Sequence, residues 1–201
     1  MYLRSYLNSD EVMAIIDNIV HSDFVQAMKD GTLEDDKFRY YLTQDHIYLK
    51  YYKEAGTTIG KLSSKKEVKQ LYREIGSEEP VFHRDMLKKF NVNGDNITDT
   101  DANYTTYSYI NHLIRWSGDS DFNGMLSMFP CQWSYGYIAE AIPAPSDKFG
   151  FWFDFYHSQT YRSITDKYIE LLGNVELSEY QEQILRFGLE YELNYWHDCY
   201  K

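Results

Sequence analysis

Along nearly the whole chain the apolar residues recur at three- and four-residue intervals, and no run of alternating apolar and polar residues is bounded by turn pairs. That spacing lines apolar side chains along one face of a helix, so an all-α fold is expected. Only 4 prolines and 11 glycines occur in 201 residues, which leaves room for long uninterrupted helices. No glycine-, serine- or proline-rich linker divides the chain, so residues 1–201 are expected to form a single domain.

The helices can be placed in order. Val12, Ile15, Ile16 and Ile19 follow a cap at Asn8 or Ser9, and a short piece from Phe24 to Met28 runs to Asp30 and Gly31. Thr32 is expected to open the next helix, with Glu34, Asp35 and Asp36 in its first turn, where the macrodipole favours acids. Ser64 and Glu67 read as a capping box for a third helix, which Pro80 bends or restarts. A loop over 91–100, a helix from Asp101 to near Gly118 and another from Phe122 to Ala141 follow. An aromatic segment from Phe149 to Tyr156 precedes a helix from Tyr161 to Leu172, stopped by Gly173. Ser178 and Gln181 form a second capping box, which starts the last helix.

Charge and composition narrow the function classes. A net charge of −11 opposes nucleic-acid binding, which depends on cationic neutralisation of phosphates. Two cysteines far apart in sequence fit a reduced, cytoplasmic protein. The N-terminus lacks a charged-then-apolar leader pattern, and no apolar run approaches the ~18 residues of a membrane span. Tyrosine is abundant at 20 residues. A helical bundle rich in it can wall a pocket for a planar polar ring, although most of these rings are expected to be ordinary core.

Three positions break the apolar pattern with reactive groups. Asp45 interrupts the stripe Phe38, Tyr41, Leu42, Tyr48 and Tyr52, and Glu192 interrupts Ile184, Leu185, Leu189, Tyr195 and Trp196. A buried carboxylate must be paired, hydrogen-bonded or protonated, and an arginine partner is the plain structural reading for Asp45. Cys131 shares a helix face with Met128, Tyr135 and Ile138. It also follows Pro130, whose missing N–H could restart the helix and place the thiol at a partly positive N-terminus, lowering its pKa. The alternative is a small buried cysteine in a core. Glu79 and His83 stand at i, i+4, a weak metal-site spacing, and no Glu-x-x-His occurs. A nucleophile with two carboxyls in an aromatic bundle fits covalent catalysis with proton transfer.

Taken together, several stretches resemble the TenA/thiaminase II family: Phe24 to Leu33, Lys37 to Leu42, Gln44-Asp45 with Tyr48-Leu49, Tyr107 to Tyr109, Phe129 to Trp133 with Tyr135, Trp152 with Tyr156, and Tyr191-Glu192 with Tyr195-Trp196. His46-Ile47 and Pro80 depart from the family's pattern. The resemblance implies an all-α, single-domain haem-oxygenase-like bundle, a homotetramer, and hydrolysis of thiamin-related aminopyrimidines. It implies Cys131 as the nucleophile adding to the pyrimidine, Glu192 as acid–base group at the exocyclic methylene, and Asp45 on the ring's polar edge. Tyr48, Tyr109, Tyr135, Tyr156 and Tyr195 would support the ring and the thiol. No metal or organic cofactor is implied.

Two other classes remain open at the level of sequence. Haem or di-metal redox chemistry on the same scaffold would draw ligands from His21, His46 or His83. A non-catalytic pyrimidine-binding or regulatory protein would bind product without turnover.

Overall fold

The computed structural model describes residues 1–201, apart from the side chains of Ser77 and Glu78. Its helices are α1 Leu3–Leu7, α2 Asp10–Val20, α3 Asp23–Asp30, α4 Asp35–Leu62, α5 Lys66–Lys89, α6 Tyr104–Ser117, α7 Asp121–Ala141, α8 Gly150–Tyr156, α9 Gln159–Leu172 and α10 Glu179–Tyr200. Two 3₁₀ turns occupy the connection between α5 and α6, and an isolated bridge joins Tyr2 to Glu176. Among the described residues there is no strand, as the periodicity predicts.

Helix α7 is the axis of the bundle. Every residue from Gly124 to Gln132 is buried, so this stretch of the helix is enclosed on all sides rather than amphipathic. It runs unbroken through Pro130. Helix α10 crosses at that point by means of Gly188, where an added Cβ would stand 2.6 Å from Pro130 Cγ. The missing side chain lets the two backbones approach closely.

Several starts differ from the sequence expectation. Helix α4 begins at Asp35 with Glu34 as its cap, because the N–H groups of Thr32 and Leu33 both turn back to Ala27 O. They close α3 behind Gly31, which adopts the left-handed conformation at φ 74°. Helix α5 begins at Lys66 without a side-chain cap; Ser63 Oγ, not Ser64, accepts from Lys65 N at 3.1 Å. It continues through Pro80. Helix α6 begins at Tyr104, where Asn103 accepts from Thr106 N. The capping box of Ser178 and Gln181 forms as expected.

Candidate active site

Five helices each deliver part of one buried cluster. The inner face of α4 supplies Asp45 and Tyr48, α6 supplies Tyr109, α7 supplies Cys131 and Tyr135, α8 supplies Tyr156, and α10 supplies Glu192 and Tyr195. All eight are buried. The Tyr48 and Tyr109 rings lie 4.7 Å apart, and Tyr135 meets Tyr156 edge-on at 4.8 Å. The Tyr48 hydroxyl lies beside the Cys131 thiol, and those of Tyr109 and Ser134 lie beside the Glu192 carboxyl. The Tyr195 hydroxyl donates to Tyr41 O at 3.2 Å, which commits its polar end to the backbone and leaves the ring edge for packing.

Asp45 has a histidine partner, not the arginine of the structural reading. His83 Nδ1 approaches Asp45 Oδ2 to 2.8 Å, and His46 Nδ1 lies 3.2 Å from His83 Nε2. The Asp45–His83 contact is bent away from hydrogen-bond alignment, since neither atom has an aligned partner. The buried hydroxyls of Tyr48 and Tyr109 and the indole N–H of Trp196 are in the same condition. Trp196 packs on Tyr135 at 5.2 Å, and Tyr48 and Tyr109 both lie near Cys131.

Burial dominates the electrostatics. It pushes Glu192 up to about 8, with the neighbouring Tyr109 and Ser134 hydroxyls opposing the rise and repulsion from Asp45 adding to it. Glu79 is likewise pushed up to about 8 by burial and by Asp45, while Tyr156 opposes the shift. Carboxyls that titrate near neutrality suit acid–base work. The expected lowering of the Cys131 pKa does not occur. Pro130 lies within α7, so the helix does not restart there to give the thiol an N-terminus. Burial raises it well above the ordinary value, and Glu192, Glu79 and Asp45 add to that rise. Cys199 is also buried, near the end of α10.

Sequence reasoning missed part of this cluster. Glu79 and His83 stood out as a metal spacing, yet His83 serves Asp45 and Glu79 meets Tyr156. Among the described residues no group of three such side chains is arranged to hold a metal ion. Tyr41, which accepts from Trp152 Nε1 at 3.2 Å, looked like plain core. Its i−4 spacing from Asp45 on the α4 stripe was the available signal.

An all-α bundle enclosing a cysteine, three carboxyls and a wall of tyrosines defines a distinct class of helical protein. A domain described with a haem-oxygenase-like fold shares the bundle at a TM-score of 0.69 over 98% of this chain and 89% of that one, at 14% identity. A TenA-like protein of Sulfolobus solfataricus superposes at 0.88 over 98% of this chain and 94% of that one, at 23% identity. The sequence pattern of the TENA/THI-4/PQQC family matches residues 9–201, and the chain belongs to that family. An aminopyrimidine aminohydrolase of Halalkalibacterium halodurans is 27% identical over 159 residues, covering 74% of this chain and 71% of that protein. Another, of Helicobacter pylori, is 24% identical over the full length of both.

Proposed function

We propose that this protein is an aminopyrimidine aminohydrolase that converts 4-amino-5-aminomethyl-2-methylpyrimidine to its hydroxymethyl counterpart in thiamin salvage, with thiamin cleavage as a second activity. The observation that carries the reading is Cys131 buried beside Tyr48, with Glu192 and Asp45 both close enough to raise its pKa. Family membership and the names of the relatives support it.

The chemistry follows from those groups. The Cys131 sulfur bonds to a pyrimidine ring carbon, and the thiol proton ends on a ring nitrogen held by Asp45. Electrons pushed outward break the bond between the methylene and the amine. Glu192, protonated at neutral pH, gives the amine its proton as it leaves. Water then adds to the methylene and returns a proton to Glu192. The sulfur–carbon bond breaks and the ring proton returns to sulfur. Tyr135 and Tyr156 wall the ring, Tyr48 and Tyr109 hold the thiol and the acid, and Tyr195 packs at the edge. The sequence of steps calls for no metal or organic cofactor.

The protein works as a single-domain, cytoplasmic homotetramer acting on a small molecule, with no nucleic acid as partner. Among the described residues no helix is long and apolar enough to cross a membrane. Exposed Tyr104 and Tyr107 on α6 and Tyr180 and Phe187 on α10 supply apolar surface for association. The test of function is ammonia release from the aminomethylpyrimidine by purified protein. Steady turnover supports the reading, whereas product binding with no ammonia would make this a binding protein.

A further inference from the structure

A cleft of about 410 Å³ opens between α4 and α5. Lys53 and Lys61 line it from α4, Lys69 and Arg73 from α5, and among the described residues no acid contributes to its wall. None of these four cations forms an ion pair with a described carboxylate. Four unpaired cations around one cleft are unexpected in a chain of net charge −11. Their mutual repulsion costs free energy that a bound anion would offset. The cleft is open space beside Gly60 and Gly76, where an added Cβ would meet nothing within 4 Å.

The inner end of this cleft runs toward the site described above. A narrower cavity of about 30 Å³ shares Lys53, Tyr72 and Gly76 with it and continues to Tyr52, Glu79 and Met128. The Tyr52 hydroxyl donates to Met128 O at 3.5 Å, one helical turn before Cys131.

We propose that this basic cleft is a phosphate-binding site, and that the phosphate it takes belongs to a phosphorylated pyrimidine derivative whose ring lies at Cys131. The proposal rests on the aminohydrolase reading and deepens it by naming a substrate class. A phosphate dianion matches the charge of the cleft better than a carboxylate does. The guanidinium of Arg73 can grip two phosphate oxygens at once, and the lysines act as point charges around the rest. A substrate of this kind would span the narrow cavity, with its uncharged or cationic middle beside Glu79 and its phosphate between the helices.

The test compares thiamin with thiamin monophosphate, in kcat/KM, for the wild type and for the double variant Lys69→Gln/Arg73→Gln. Calorimetry with inorganic phosphate and with pyrophosphate accompanies it. The expected result is a kcat/KM for the phosphate ester about tenfold above that for thiamin, with the advantage lost in the double variant and thiamin hydrolysis unchanged. Phosphate or pyrophosphate should bind the wild type and not the double variant. Equal kcat/KM for both substrates with no anion binding would overturn the proposal. Anion binding without any advantage for the ester would overturn the assignment to substrate and make this a free-anion site. Anion binding in a protein that hydrolyses neither thiamin nor the aminomethylpyrimidine would overturn the aminohydrolase reading and, with it, the substrate assignment, while upholding the phosphate site.

Discussion

His83 Nδ1 stands 2.8 Å from Asp45 Oδ2 inside the bundle, with both side chains 6% exposed. The histidine comes from α5 and the carboxylate from α4, so the contact fixes the orientation of Asp45 from outside its own helix. His46 extends the contact to the edge of the bundle, where Asp95 and Lys50 act on it. Burial and the neighbouring His83 hold the pKa of His46 below its ordinary value, which keeps it neutral at pH 7.

The first expected outcome concerns binding. Asp45→Asn replaces a pure acceptor with an amide and mismatches the polar edge of an aminopyrimidine. The dissociation constant of hydroxymethylpyrimidine should rise about ten- to a hundredfold, since a charge-assisted hydrogen bond contributes roughly 1.5–3 kcal/mol. His83→Gln should weaken binding less, because it disturbs the orientation of the carboxylate and not its charge. Calorimetry on both folded variants measures this; unchanged affinity in Asp45→Asn would return that residue to a structural role.

Thiol reactivity gives a second outcome. Burial and three carboxyls hold the Cys131 pKa above the ordinary 9.0, so alkylation should be slow at neutral pH. Its rate should still be climbing as pH passes 9. Hydroxymethylpyrimidine should protect Cys131, and buried Cys199 should react only on unfolding. Peptide mapping across a pH series decides it. A rate that levels off below pH 8 would show an activated thiolate in the resting protein.

Stability should fall as pH rises. Glu79 and Glu192 have folded-state pKa values raised from the ordinary 4.5 to about 8, so the folded state holds protons that the unfolded chain has lost. Their stabilising effect is complete below pH 4.5 and is lost on passing 8. Inside that window each contributes a slope of up to about 1.4 kcal/mol per pH unit. Denaturant midpoints at pH 5, 6.5 and 8 should decline for the wild type and decline less for Glu79→Gln and Glu192→Gln. Identical slopes in all three proteins would contradict the buried-acid account.

Much of this was legible in the sequence because helical periodicity exposes its own exceptions. Asp45 and Glu192 were visible as acids in apolar stripes, and Cys131 shared a face with Tyr135. The structure buries all of them together. The histidine at Asp45 was not legible, since the partner lies on another helix and only packing brings α5 against α4. The thiol pKa was misjudged for a related reason. A proline in sequence suggests a broken helix, but this stretch of α7 is enclosed on every side, and the surrounding core keeps it continuous through Pro130. The start at Thr32 failed because its backbone N–H closes the preceding helix on Ala27 O, and the start at Ser64 because Ser63 takes the serine contact to Lys65 N; spacing alone resolves neither.

The role of Glu192 can be separated by leaving group. An amine must be protonated as it departs, so a positioned acid should contribute roughly 10²–10⁴-fold. Thiazole leaves neutral from a cationic nitrogen and gains nothing from that proton. Glu192→Gln should therefore slow hydrolysis of the aminomethylpyrimidine far more than that of thiamin. Comparing kcat/KM for the two substrates isolates the effect, and equal losses would assign Glu192 to the ring or to water instead.

The central claim is covalent catalysis by Cys131, and ammonia release from the aminomethylpyrimidine by wild type and Cys131→Ser tests it most directly. Serine keeps the site's size and hydrogen bonding but is a far weaker nucleophile. The account predicts a loss of about a thousandfold or more in kcat, with hydroxymethylpyrimidine still binding within a few-fold of the wild type. A Cys131→Ser variant that releases ammonia at the wild-type rate would contradict it.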